Sequence, residues 1–192
     1  NTGSLTYVIN DNNIGTNNTA TTQYGFYISG SSAAANAVAR VSIKNNNIVL
    51  AGTSTCYGIY ASYVNANAAT PSEISNNMIS CNGGTTSTIY GFYPYHVANM
   101  DFVHNSIHVI NGSATAGRAM YINRSTSGTA FAVDGLNIQN NIISNVGPGY
   151  AIEVASTTNT AAMIGAMSNN AYQGNATNPL RFGTTNYTTI AD

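Results

Sequence analysis

The chain has 192 residues, of which only 6% are charged: five Lys/Arg against six Asp/Glu, for a net charge of −1. Five scattered cations cannot form the basic stripe that a phosphate backbone demands, and no apolar run approaches the roughly 18 residues of a membrane span. Disorder is excluded as well, because 43% hydrophobic content with 13 Tyr and 5 Phe is too apolar for it, so 29 Asn, 23 Thr and 18 Ser carry the solubility.

Taken in chain order, one six-residue pattern recurs: apolar, any, Asn, Asn, any, apolar. It begins at Ile9 (Asp11, Asn12, Ile14), Ile43 (Asn45, Asn46, Ile48) and Ile74 (Asn76, Asn77, Ile79). It continues at Val103 (Asn105, Ser106, His108), Ile138 (Asn140, Asn141, Ile143) and Met167 (Asn169, Asn170, Tyr172). The leading apolar residues lie 34, 31, 29, 35 and 29 positions apart, which is the mark of a repeat architecture. Between these motifs runs a second pattern: Tyr24 to Ile28, Tyr57 to Ala61, Tyr90 to Pro94, then Arg118 to Ile122 and Tyr150 to Val154. Each copy alternates apolar and polar, a strand signal, and no helical period is sustained.

Short strands in a 29–35-residue unit with Asn pairs at corners predict an all-β fold, a right-handed parallel β-helix (solenoid) of about six coils. Asn tolerates the left-handed backbone that a tight corner requires, and stacked amides can bond from coil to coil. Ile9, Ile43, Ile74, Val103, Ile138 and Met167 should form one internal stack, and Phe26, Ile59, Phe92, Met120 and Ile152 another. The segments Ser29 to Ala39 and Asn123 to Asp134 read as loops. Residues 1–192 read as a single solenoid segment, expected to belong to a longer chain. Its open ends are expected to be covered by the rest of that polypeptide or by neighbouring copies stacked end to end.

The Ile-x-Asn-Asn-x-Ile motif and the Tyr-Gly-Phe/Ile-Tyr alternation, over roughly residues 5 to 172, resemble the right-handed parallel β-helix repeat family, the pectate-lyase-like coils. The tail from Ser168 through Asp192 is similar to segments of large secreted bacterial surface proteins. The resemblance implies a secreted, extracellular or cell-surface setting. It leaves function open, since such coils serve as lyases, glycosidases and non-catalytic surface modules.

Candidate chemistry is sparse. The acids are Asp11, Glu73, Asp101, Asp134, Glu153 and Asp192. Counted from the repeat, Glu73 and Asp101 differ in parity, whereas Asp101 and Asp134 share it and would lie about 8 Å apart by strand spacing. They are the best catalytic pair this inventory offers, and the expectation is no active site. His104 and His108 straddle a corner instead of converging, so neither a metal site nor a cofactor is expected. Cys56 and Cys81, on successive coils, are a disulfide candidate, with two buried thiols as the alternative. Parity directs Tyr27, Tyr60, Tyr93 and Tyr121 outward as one column suited to contact with a partner, a glycan among the candidates. Tyr24, Tyr57, Tyr90, Arg118 and Tyr150 have the parity of the core and are expected to pack at the strand starts. The resulting expectation is a non-catalytic structural or adhesive segment. The alternative is a carbohydrate-binding or carbohydrate-active β-helix.

Overall fold

The computed structural model describes residues 6–17, 22–31, 39–124, 134–155, 163–174 and 179–188. Most of the two expected loops (residues 32–38 and 125–133), together with Asp192, lie outside them. The first coil contains β1 (Thr6–Asn10), β2 (Asn13–Asn17) and β3 (Gln23–Ser29). The second has β4 (Arg40–Lys44), β5 (Asn47–Ala51) and β6 (Cys56–Asn65), and the third β7 (Ser72–Ser75), β8 (Met78–Asn82) and β9 (Ile89–Ala98). In the fourth come β10 (Met100–Val103), β11 (Ser106–Ile110) and β12 (Gly117–Ile122), and in the fifth β13 (Leu136–Gln139), β14 (Ile142–Asn145) and β15 (Tyr150–Val154). The last has β16 (Ile164–Ser168), β17 (Ala171–Gly174) and β18 (Leu180–Phe182), with β19 (Thr185–Tyr187) folded back antiparallel on β18.

Every third strand joins the same sheet. The orders β1-β4-β7-β10-β13-β16, β2-β5-β8-β11-β14-β17 and β3-β6-β9-β12-β15-β18 are parallel ladders, so the fold is a three-sheeted parallel β-solenoid. Among the described residues no helix is long and apolar enough to cross a membrane.

The corner between the first two sheets explains the Asn pairs, and its two positions do different work. The first residue of each pair is left-handed: Asp11, Asn45, Asn76, His104, Asn140 and Asn169 have φ between 55° and 60°. The second residue builds a ladder. Its side-chain amide donates to the next coil's Oδ1, from Asn12 to Asn46 (2.9 Å), Asn46 to Asn77 (2.9 Å), Asn77 to Asn105 (2.9 Å), Asn105 to Asn141 (3.3 Å) and Asn141 to Asn170 (2.9 Å). The same oxygens accept the backbone N–H of the coil before, at 2.8–3.0 Å. Asn46, Asn77, Asn105 and Asn141 are buried, and a buried amide is tolerable only when satisfied in this way.

The ladder also corrects the fourth repeat. Asn105 is the ladder residue, so His104 holds the left-handed corner and Phe102, not Val103, leads the motif. The internal column is Ile9, Ile43, Ile74, Phe102, Ile138 and Met167, and Val103 points outward. Phe102 stacks face to face on Phe92 of the third sheet, with centroids 4.3 Å apart and planes 9° apart. The other expected column, Phe26, Ile59, Phe92, Met120 and Ile152, runs on to Leu180. Ile48, Ile79, Ile107 and Ile143 fill the wall from the second sheet. Each fully buried Ile contributes roughly 2 kcal/mol of apolar transfer.

Candidate functional site

The third sheet does not follow strict alternation. In β6, Gly58 and Ile59 are consecutive buried residues, and the outward positions on either side are Tyr57 and Tyr60. A Cβ on Gly58 would lie 2.3 Å from the Gly91 carbonyl oxygen and 2.4 Å from Ile79 Cγ2. The backbone of one coil thus sits directly on the next and on the second sheet. This doubled inward step resets parity, so tyrosines three apart share the outer face. The strand-start tyrosines expected in the core are instead part of that face, with Tyr24 38% exposed and Tyr57 and Tyr90 half-buried.

Two tyrosine columns therefore lie side by side. One is Tyr24, Tyr57 and Tyr90; the other is Tyr27, Tyr60, Tyr93 and Tyr121. Along the columns, Tyr24 stacks on Tyr57 at 4.9 Å, Tyr27 on Tyr60 at 5.2 Å, and Tyr60 contacts Tyr93 at 5.0 Å. Across them, Tyr24–Tyr27 and Tyr90–Tyr93 meet edge-on at 4.9 and 5.1 Å, and Tyr90 stacks on Tyr121 at 4.6 Å. Tyr95 extends the wall from Tyr93 at 6.0 Å, and Tyr63 meets Tyr95 edge-on at 5.5 Å. Rings stacked on parallel strands spend their faces on one another, leaving edges and hydroxyls to the outside.

Crowding changes the phenols' acidity. Desolvation, before any other cause, raises Tyr24, Tyr57, Tyr60, Tyr93 and Tyr121 above their ordinary value and pushes Tyr90 up to about 12. These folded-state values exceed those of the unfolded chain, so their stabilisation is complete below about pH 10 and fades as pH rises toward the folded values. Urea midpoints measured from about pH 8 to about pH 11 should therefore stay level and then fall steeply, with tyrosinate absorbance appearing as the chain unfolds. A midpoint that is flat to the alkaline end would contradict this wall.

The wall ends in a charged cluster that sequence reasoning missed. Glu153 follows Tyr121 in register, Arg181 follows Glu153, and Arg118 occupies the column of Tyr90 and Tyr150. Arg118 is buried, forms an ion pair with Glu153, and donates to the Gly117 and Thr115 carbonyls at 2.8 Å. Its guanidinium lies over the Tyr150 ring at 4.7 Å, and Arg181 reaches Glu153 at 3.5 Å. The available signal was charge at positions where other coils carry tyrosine.

The carboxylates fall differently from expectation, because the fourth repeat is shifted by one. Asp101 is directly opposite Glu73, on the same outer row, and not opposite in parity. Glu73 is engaged by Lys44 and by Ser75 Oγ at 2.9 Å, and the Lys44 hydrogen bond is the main cause that lowers its pKa. Asp101 Oδ1 accepts from Asn137 Nδ2 at 2.6 Å. Asp134 precedes β13, three residues before Asn137, and its backbone carbonyl accepts from Asn99 N at 2.9 Å. The structure thus places Asp101 beside Glu73 and Asn137, and Asp134 alongside the start of β10.

His104 turns the corner, while His108 lies on the outer face of the second sheet, with Nδ1 3.3 Å from Ser144 Oγ. Among the described residues no three His, Cys, Asp or Glu side chains come together as a metal site. Cys56 and Cys81 are buried free thiols in this structure, not the expected bridge. Cys81 stands in register with Leu50 and Val109 as part of the apolar wall, and burial pushes its thiol up. No protein-family model, curated protein or solved structure matches the chain.

Proposed function

We propose that this solenoid is a non-catalytic structural or adhesive segment of a secreted, extracellular or cell-surface protein, and that the tyrosine wall is its contact surface. The observation that carries this reading is the contrast between two kinds of outer residue. On the first sheet's outer face Lys44, Glu73 and Asp101 are tied into pairs with neighbours, whereas Tyr27, Tyr60, Tyr93 and Tyr121 form a neutral row of phenol edges along successive coils. Such a row offers apolar area and hydroxyl donors together, which suits a neutral glycan strand or a protein surface.

A carbohydrate-active alternative rests on Glu73 and Asp101 standing opposite each other on neighbouring strands. Against it, both carboxylates are already engaged within the solenoid, Glu73 by Lys44 and Ser75 Oγ and Asp101 by Asn137 Nδ2.

Retention on insoluble neutral glucans and on intact bacterial cells tests the proposal. The wild-type chain should be retained and a Tyr60→Ala, Tyr93→Ala double variant released, with no soluble sugar liberated by either. Equal retention of both chains, or sugar release that Asp101→Asn abolishes, would refute it.

A further inference from the structure

The tyrosine wall carries chemistry that a contact surface does not require. Parallel in-register pairing sets Tyr24 on Tyr57 and Tyr27 on Tyr60, and the Tyr90 and Tyr121 rings meet across the two columns. Four pairs have near-parallel rings, and the three closest are Tyr24–Tyr57 at 4.9 Å and 12°, Tyr27–Tyr60 at 5.2 Å and 23°, and Tyr90–Tyr121 at 4.6 Å and 21°, with Tyr57–Tyr93 farther apart at 6.2 Å. The array is open to a reagent at Tyr27, 57% exposed, and continues by ring contact to Tyr93 and Tyr121. The chain has no Trp, and both thiols are buried, so the phenols are the groups that a one-electron oxidant meets.

We propose that this face is a site of oxidative modification, at which a haem peroxidase acting with hydrogen peroxide joins tyrosines of successive coils through dityrosine bonds. Two phenols each lose one electron and the hydroxyl proton. The two phenoxyl radicals then couple through one ortho carbon each, forming a single carbon–carbon bond. Each coupled carbon releases its hydrogen as a proton and each oxygen takes one up, which restores both aromatic rings. Hydrogen peroxide accepts the two electrons and two protons, its O–O bond breaks, and two waters leave. The protein loses two hydrogens per bond. Ring contacts along the wall let a radical formed at Tyr27 pass inward until it meets a second one. The product staples coil to coil, closing a loop that the unfolded chain must then carry and so raising stability. This chemistry is independent of whether the wall also binds a glycan or a protein.

The test treats the full chain, dilute, with a haem peroxidase and hydrogen peroxide. The expected product is a monomer on a denaturing gel that shows dityrosine fluorescence, a mass lower by two hydrogens per bond, and a raised urea midpoint. Peptide mapping should place the bonds at Tyr24–Tyr57, Tyr27–Tyr60 or Tyr90–Tyr121. A Tyr57→Phe, Tyr60→Phe, Tyr121→Phe variant preserves the stacked rings and should lose most of the monomer's dityrosine fluorescence while keeping the far-ultraviolet strand signature. The proposal is overturned if dityrosine forms only between chains, if it maps to Tyr7 or Tyr187, if none forms, or if the phenylalanine variant yields as much as the wild type.

Discussion

Asn77→Ala should cost about 3 kcal/mol, because it strips the ladder at a fully enclosed rung and leaves buried polar groups without partners. Asn77 Nδ2 donates to the Ile43 carbonyl and to Asn105 Oδ1, both at 2.9 Å, and Asn77 Oδ1 accepts the Asn46 N–H at 3.0 Å. Alanine orphans that buried N–H, leaves the Ile43 carbonyl without its side-chain donor, and opens a polar void between coils. Its sequence neighbour makes the contrast. Asn76 is left-handed, at φ 55°, so Asn76→Ala should cost only about 1 kcal/mol through backbone strain, and Asn76→Gly should be close to neutral. Urea unfolding followed by circular dichroism measures all three. Equal losses at 76 and 77 would mean that the ladder does not hold the corner.

Gly58→Ala should be comparably severe, again about 3 kcal/mol, for a steric reason. The added methyl would sit 2.3 Å from the Gly91 carbonyl oxygen and 2.4 Å from Ile79 Cγ2. A flexible side chain could turn aside, but a carbonyl fixed in a parallel ladder cannot, so coils and sheets would have to separate. Gly15→Ala is the control. Its methyl would meet nothing nearer than the Val49 carbonyl oxygen at 3.9 Å, so the change should be neutral or slightly stabilising. Thermal unfolding of the two variants should differ widely, and indistinguishable midpoints would contradict the packing of the third sheet. Gly58→Ala should also perturb the tyrosine circular dichroism, since that glycine permits Tyr57 and Tyr60 to share a face.

The slip at the fourth repeat shows what a motif can and cannot reveal. Aligned on its first Asn, the pattern led to Val103; aligned on the ladder residue, it leads to Phe102. The two corner positions ask for different things. The first needs only a residue that tolerates positive φ, which Asp11 and His104 supply as well as Asn does, whereas the second needs a primary amide in every coil. That one-residue slip turned the acids' parity around, separating Glu73 from Asp101 on paper when the strands set them opposite each other.

Sequence alone determined the solenoid, the unit length, the Asn corners and most of the inward columns, because each repeats in every coil and local chemistry is the same each time. The outer face was decided by tertiary structure. A glycine pressed against the neighbouring coil and sheet turns two successive residues inward, and this brings a second row of tyrosines to the surface. The Arg118–Glu153–Arg181 cluster likewise exists only because parallel register sets residues of three coils side by side. Period-two reasoning assumes that every residue has a side chain to place. At Gly25, Gly58 and Gly91 there is none, and the contact between coils, invisible in the local pattern, sets which way the strand turns.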